Sequence, residues 1–555
     1  MPKILTPVSL WNNFDVSLEL NPQKDFEGVY SDVKVELVYF DGRDTGDGRV
    51  KIAAAFAYND ETADCGTVLI LPDSKETIDI EVLKMFVKRG YRALMVDYRG
   101  EWEGCNFHTV YPENVFYGNV ARCGRYKDYV DDSAVQTSWY EWACIGLYAA
   151  RYIRERTGLD SIGVVGIRDG GEIAWKIGVA DKFACIIPVS AAGWKAYTGI
   201  SKYEQEEMPL NEERYRFIAG IDSQAYAPYV NCPVLMLCST NDTEFDYDRA
   251  YDTFSRINSK YSAESAIAYS IRNSASIGEK CIEDMFLFLD KNIKNREVFI
   301  PKPADVVVEV DEDSNLVARA IVDERGVVKT CRVFLAEDCQ NSAFRELNNC
   351  PVKDEKERLY YLNIYEKTAT IYVLCRVRYL NGFTVWSKVA IKKISGKFRN
   401  MRKKSQVIFS DDKGISAFSI AEPYKCSVGG IFITNDKILP HIVAKAKGVK
   451  GLYSECGLST LRMSNPQFTA SATSLLSIDL YCDENTTITL TFSDLTTGES
   501  YVNNITVVGG VWQSAVLESK TFKSAGGVPL GSFVGEMKLT VSCPTGYAIN
   551  NLMWL

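Results

Sequence analysis

Histidine is nearly missing from this chain: there are two, His108 and His441, among 555 residues. Any imidazole base, acid or metal ligand must come from one of those two positions. Cysteine is present, at sixteen residues, but no two have the C-x-x-C spacing of a zinc or redox motif, so neither a metal site nor a cofactor is expected. No apolar run reaches the roughly 18 residues of a membrane-spanning helix, and no membrane partner is expected. The opening MPKILTPVSLWNNFDVSLEL has no basic segment leading into an apolar run, so it does not read as a signal peptide. Basic residues are outnumbered, 63 Lys and Arg against 72 Asp and Glu, for a net charge of −9. That balance argues against a nucleic-acid surface, which needs clustered positive charge. The one basic cluster, Lys392 and Lys393 with Lys397, Arg399, Arg402, Lys403 and Lys404, lies between two β-rich regions and reads as a solvated linker.

What remains is the composition of a soluble globular protein, 46% hydrophobic and 24% charged, too long for one core and sized for about three or four domains. Most cysteines fall inside apolar runs, such as Cys185 in FACIIPV, Cys238 in VLMLC and Cys375 in IYVLC. Such thiols behave as small hydrophobes and suit a reducing compartment, so a cytoplasmic location is expected.

From Val33 to Ile293 short β-branched runs alternate with helical stretches. The runs are VKVELVYF, VKIAAAFAY, TVLIL, RALMVDY, IGVVGI, CIIPVS, VLMLCS and AIAYSI. The first two flank the Gly- and Asp-rich turn Asp41 to Gly48, as in a hairpin. The middle ones are continuously apolar, the pattern of parallel strands covered on both faces. The helical segments IEVLKMFVKRG and SWYEWACIGLYAARYIRERTG close at Gly90 and Gly158. The expected fold class is α/β: a mostly parallel eight-stranded sheet with helices on both faces over residues 1–298. Ile300-Pro301-Lys302-Pro303 punctuates the next boundary. Residues 299–396 then hold only short alternating runs (VVVEV, LVARAIV, RVFLA, TIYVLCRVRYL), as in an immunoglobulin or fibronectin-III-like sandwich. The basic linker 397–404 precedes a second all-β region, 405–555.

The strand IGVV runs into Gly166-Ile167-Arg168-Asp169-Gly170-Gly171-Glu172 and then the helix IAWKIGVA. Strand, tight glycine-rich turn and helix is the context of a nucleophile elbow, G-x-S-x-G. With WYEWACIGLYAARYI before it, the segment resembles the dienelactone-hydrolase and acetyl-xylan-esterase branch of the α/β-hydrolases, over about residues 30 to 295. The resemblance implies a nucleophile at 168, where this chain has arginine. It implies the triad acid in Thr240-Asn241-Asp242, making Asp242 the matching position. It implies a histidine in the loop Arg272-Asn273-Ser274-Ala275-Ser276-Ile277, which has none. The orienting carboxylate is retained; nucleophile and base are not.

Substitutes are few. Asp169 adjoins the nucleophile slot, as the elbow Asp of haloalkane dehalogenases would, but that frame puts Ile167 where a small residue is needed; the resemblance instead implies its amide as an oxyanion-hole donor. His108, in the insertion GEWEGCNFHTVYPENVFYGN, could act as a base from a lid, or be an ordinary structural histidine. Arg168 itself has two readings. With the amides near Gly170 and Gly171 at a helix start, it could bind an anionic ligand. Alternatively it fills the space left by histidine and pairs with Asp242, the preferred reading because a buried arginine needs a partner.

Residues 405–555 include LLSIDLYCDENTTITLTFSD, VVGGVWQSAVLESKTF and EMKLTVSCPTGYAINNLMWL. Their closing strands resemble carbohydrate-binding jelly rolls, which implies aromatic sugar platforms. Tyr481 and Trp512 are the candidates, with Tyr453 and Tyr501, although each also suits core packing. Two functions are therefore expected in competition. One is a hydrolase-fold protein without hydrolase chemistry that binds or assembles, with a glycan or a small anionic or ester ligand. The other is a carboxylic-ester hydrolase with an unconventional site built on Asp169, His108 or Asp242.

Overall fold

Nine strands form the principal sheet: β1 (Gln23–Tyr30), β2 (Val33–Asp44), β3 (Arg49–Tyr58), β4 (Thr67–Leu71), β5 (Arg92–Asp97), β6 (Ile162–Ile167), β7 (Cys185–Val189), β8 (Leu235–Ser239) and β9 (Ala266–Ser270). Their order across the sheet is β1-β2-β3-β5-β4-β6-β7-β8-β9. β1, β2, β3 and β5 pair antiparallel, and every pairing from β5 through β4 to β9 is parallel. This computed structural model describes the chain apart from residues 1–3, 13, 63, 64, 204–209, 274, 414 and 435–438.

All eight expected runs are strands, and β1 is the addition. Its sequence, QKDFEGVY, is exposed along almost its whole length, because it is an edge strand with little to bury on either face. It therefore carries no apolar alternation to read. Strands β4 to β8 are buried throughout, which is why they are apolar at every position. Helices Ile80–Lys88 and Glu279–Lys294 meet on one face through Phe86 and Phe286, rings 5.5 Å apart. Helices Ser138–Thr157 and Asp169–Ala180 pack together on the other. A mixed sheet of this order, parallel-rich and helix-covered, fits the α/β-hydrolase fold.

Two further pairs of antiparallel sheets follow. Residues 305–393 form a four-stranded and a five-stranded sheet, and residues 407–554 a six-stranded and a five-stranded one. The first pair shares a continuous core with the principal sheet, whereas the last encloses its own. The junction of the first two regions is built around Arg345, which is fully buried. It donates two hydrogen bonds of 2.9 Å to Asp248 and one of 2.6 Å to the Tyr247 hydroxyl, on the helix Tyr247–Phe254. A buried bidentate pair with every donor occupied fixes one relative orientation.

The segment 397–404, expected to be solvated, is instead stitched to the sandwich. Asn400 donates to the Leu316 and Leu362 carbonyls, and Arg402 pairs with the buried Glu337 at 2.8 Å. Its cations alternate with Phe398, Asn400 and Met401, which do the packing. Residues 427–433 also leave their own region to join the hydrolase-like one. The Ile277 amide donates to Ile431, and the Ile433 amide to Ile277, at 2.8 and 3.1 Å, while Phe432 packs edge-on against Phe86. Among the described residues no helix is long and apolar enough to cross a membrane.

Candidate functional site

The elbow is formed at Arg168, whose backbone lies at φ 53° and ψ −112°. That region is strained for any residue with a Cβ, and it is tolerated where a tight turn over-determines it. The turn leaves no room at its flanks. A Cβ on Gly166 would sit 2.2 Å from the Gly170 carbonyl oxygen, and one on Gly170 would sit 2.1 Å from that of Leu71. Gly171 lies against Ala191. The glycines are thus required by backbone approach, whatever side chain the elbow carries.

Arg168 points across the carboxyl ends of the strands into the loop after β8. Its guanidinium donates to Asp242 at 2.9 Å and to Glu244 at 3.2 Å. The Asp242 side chain is 1% exposed and that of Arg168 16%. Burial pushes the Asp242 carboxyl above its usual value, against the opposing pull of Arg168. Desolvation therefore outweighs attraction here, as is common for buried pairs. Glu244 is shared with Lys75 at 2.8 Å. One guanidinium thus bridges the elbow and the loop after β8.

Asp169 starts the helix after the elbow and is buried. Its carboxylate accepts from Ser74 at 2.5 Å, Lys127 at 2.6 Å and Lys195 at 2.8 Å. Burial would raise this carboxyl, but Lys195 and Lys127 hold it well below the ordinary range. These three partners come from the loop after β4, the insertion after β5 and the loop after β7. None of those segments has a periodic pattern that marks it in sequence, so the cluster was not legible there. Beneath it, Glu172 accepts from the Gly193 amide at 3.0 Å and from the Ser223 hydroxyl. The buried Lys176 ammonium is pushed down to about 8 by desolvation, and Asp222 is pushed up to about 6 by burial and by Glu172.

The other expected residues lie elsewhere. His108, proposed for a lid, bonds through its ring to the Cys105 carbonyl at 3.0 Å. The following residues, Thr109 and Val110, pair with Asp97 and Lys51. The insertion thus folds back over the β3 side of the sheet, and His108 is not brought to Asp169 or Asp242. His441 is exposed on the strand His441–Ala444. The loop expected to hold the triad base is occupied by packing: Arg272 donates to the Leu347 and Ser416 carbonyls, and Ile277 is bound by residues 431–433. Ser274 lies outside the described residues. Tyr481 is buried, with its ring 5.5 Å from that of the half-buried Trp512 at an angle of 43°.

A cleft of about 100 Å³ opens beside the elbow, lined among others by Ser190, Trp194, Lys195, Asp242, Arg249 and Ala343. It lies between the loops after β7 and β8 and the sandwich loop that carries Arg345. Among the described residues the buried Ser190 hydroxyl has no hydrogen-bond partner.

No protein-family model matches the chain, and no curated protein matches it. Solved structures similar to it include two acetyl xylan esterases, from Paenibacillus sp. R4 and from Thermoanaerobacterium sp. JW/SL YS485. Each is 14% identical over 52% of this chain, covers 92% and 95% of its own length respectively, and has a TM-score of 0.39. A cold-adapted esterase from an Arctic intertidal metagenomic library is similar at 15% identity, over 50% of this chain and all of its own, with a TM-score of 0.33.

Proposed function

We propose that this hydrolase-fold chain has lost serine-hydrolase chemistry and works by binding or assembly, with a glycan or a small anionic or ester compound as its ligand. The observation that carries the reading is the Arg168–Asp242 pair, at 2.9 Å. Arginine at this position is neither a nucleophile nor a group that can shed its proton, and it holds the carboxylate that would orient a base. An unconventional hydrolase would need Asp169 free to attack, whereas that carboxylate accepts from three donors. The Ser190 hydroxyl in the adjoining cleft, without a partner among the described residues, supports a polar ligand there. The C-terminal sheets are proposed as a jelly-roll-like module in which Tyr481 and Trp512 face a sugar or close the fold.

The test is turnover of activated acetyl esters by the purified chain. The expected result is a rate equal to that of a heat-killed control. Turnover that survives repurification and is abolished by a phosphonate serine trap refutes the reading. A thermal-shift screen over acyl esters, sugars and anions then sorts the ligand classes.

A further inference from the structure

The cleft beside the elbow is lined by acceptors that are occupied and by buried donors that are not. Its carboxylates are Glu172, Asp242, Glu244 and Asp246, and both oxygens of each accept from the protein. Glu172 accepts from the Gly193 amide and the Ser223 hydroxyl, and Asp242 from the Glu244 amide and Arg168. Glu244 accepts from Lys75 and Arg168, and Asp246 from the Asp248 and Lys202 amides and from Ser342.

Two buried donors along the cleft are in the opposite state. The Ser190 hydroxyl, on a residue 6% exposed directly after β7, has no acceptor among the described residues. Neither has the Nε–H of Arg249, which lies 3.5 Å from Asp246 without a hydrogen bond. Leaving such groups unpaired is costly. Ser190 also holds its backbone at φ 51°, where a glycine would be free of strain; what the serine adds is its hydroxyl. The Arg249 guanidinium is held over the rings of Tyr197 and Trp194, 4.8 and 5.4 Å from their centres, and donates to the Ile200 carbonyl at 3.3 Å. Those two rings sit in a loop whose successive amides, Gly193 to Ala196, are each bound by a side chain: Glu172, Gln224 and, twice, Asp222. The wall is therefore ordered before any ligand arrives.

A ligand suited to this wall brings acceptors rather than donors. It is also small, since about 100 Å³ is well below the roughly 300 to 1,000 Å³ of a pocket for a drug-sized molecule. Arg249 offers it a single positive charge, and the nearby carboxylates repel a second negative one, which disfavours a dianion such as sulfate. Ile200, Phe245, Ala343 and Phe344 supply apolar contact. We propose that the cleft binds a short-chain monocarboxylate, of the size of acetate to butyrate, whose carboxylate accepts from Ser190 and Arg249 and whose alkyl end lies towards Ala343 and Phe344. This rests on the reading that the chain binds rather than hydrolyses, and it names the ligand class. Ala343 and Phe344 belong to the sandwich, so the bound acid touches both regions and tightens their junction.

The purified full chain is titrated with sodium propionate by calorimetry and its melting is followed, with propionamide and sodium sulfate at matched ionic strength for comparison. The expected result is saturable binding of one propionate per chain and a higher melting temperature, with neither effect from the other two. Ser190→Gly removes a strained backbone and an unbonded buried hydroxyl together. Its ligand-free melting temperature should rise while propionate affinity falls about tenfold or more, the loss of one hydrogen bond to a charged group. A merely structural serine would not move the two in opposite directions. Arg249→Lys keeps the charge, loses the fixed Nε–H and should weaken binding by a similar factor. Absence of saturable binding at about 10 mM propionate, equal binding of propionamide or sulfate, or unchanged affinity in Ser190→Gly overturns the proposal. Failure to bind propionate, with no ester turnover, removes this site and leaves the binding reading standing. Phosphonate-sensitive turnover removes that reading whether or not propionate binds.

Discussion

Asp242→Ala removes the partner of a guanidinium that has little access to water. Breaking a buried ion pair from one side costs about 3 to 5 kcal/mol when the remaining charge has no substitute. Here Arg168 keeps Glu244 at 3.2 Å, on a carboxylate that is 56% exposed, so the cost falls to about 2 to 4 kcal/mol. Part of it, about 1 kcal/mol, is the Glu244 amide losing its acceptor on Asp242. Asp242→Asn keeps an oxygen for that amide and gives up a charge that burial already disfavours, so it is expected to cost less than the alanine. Arg168→Met combined with Asp242→Ala leaves no stranded charge. This double variant is expected to be more stable than Asp242→Ala alone, with a coupling of about 2 kcal/mol. Urea unfolding of these variants and of Arg168→Met alone, followed by the fluorescence of Trp139, Trp142 and Trp175, all buried in this region, reads the four differences. An Asp242→Ala loss below about 1 kcal/mol, or strict additivity in the double variant, refutes the reasoning.

Arg168→Ser alone is expected to give no esterase, because a serine without a neighbouring base keeps its proton at neutral pH; adding Ser276→His is the change expected to raise turnover, and robust activity of the single variant would reveal an unrecognised base. Asp222 is held at about 6 against an ordinary 3.8, so the folded state keeps its proton more tightly. Its stabilising contribution is full below pH 3.8 and is lost as pH rises through 6, amounting to about 3 kcal/mol. Asp222→Asn should remove that part of the slope between pH 4 and 7, and an unchanged slope in urea titrations contradicts the assignment. Residues 405–555, with a core of their own, should fold in isolation and give dispersed amide resonances; a molten fragment would show dependence on the hydrolase-like region.

How far the sequence was legible follows from how local each signal is. The elbow could be read because strand, turn and helix are consecutive and Gly166 and Gly170 are forced by backbone approach within the motif's own surroundings. The buried strands could be read because covering both faces makes every position apolar. β1 could not, since an exposed edge imposes no pattern. Asp242 was placed by its position after β8, and arginine's length suggested the pairing. The Lys127–Asp169–Lys195 cluster was out of reach: its members are brought together by three irregular loops, and a lysine in a loop ordinarily reads as solvated. The same holds for Arg345, which looks like one more surface cation until Asp248 is seen opposite it.

The two β regions bear on the loops after β8 and β9, which the resemblance matches to the acid and base positions of a triad. Asn241, next to the acid, donates to the Ala343 and Arg345 carbonyls at 3.0 and 2.9 Å. Asp246 accepts from Ser342 at 2.9 Å, and Asp248 holds Arg345. On the base side, Arg272 reaches Leu347 and Ser416, and Ile277 is bonded on both its backbone groups by residues 431–433. These loops supply the hydrogen bonds that dock neighbouring regions, and the Arg168 guanidinium is paired with the first of them. Placing a serine at position 168 and a histidine in the loop after β9 would therefore have to compete with these contacts as well as with the Arg168–Asp242 pair.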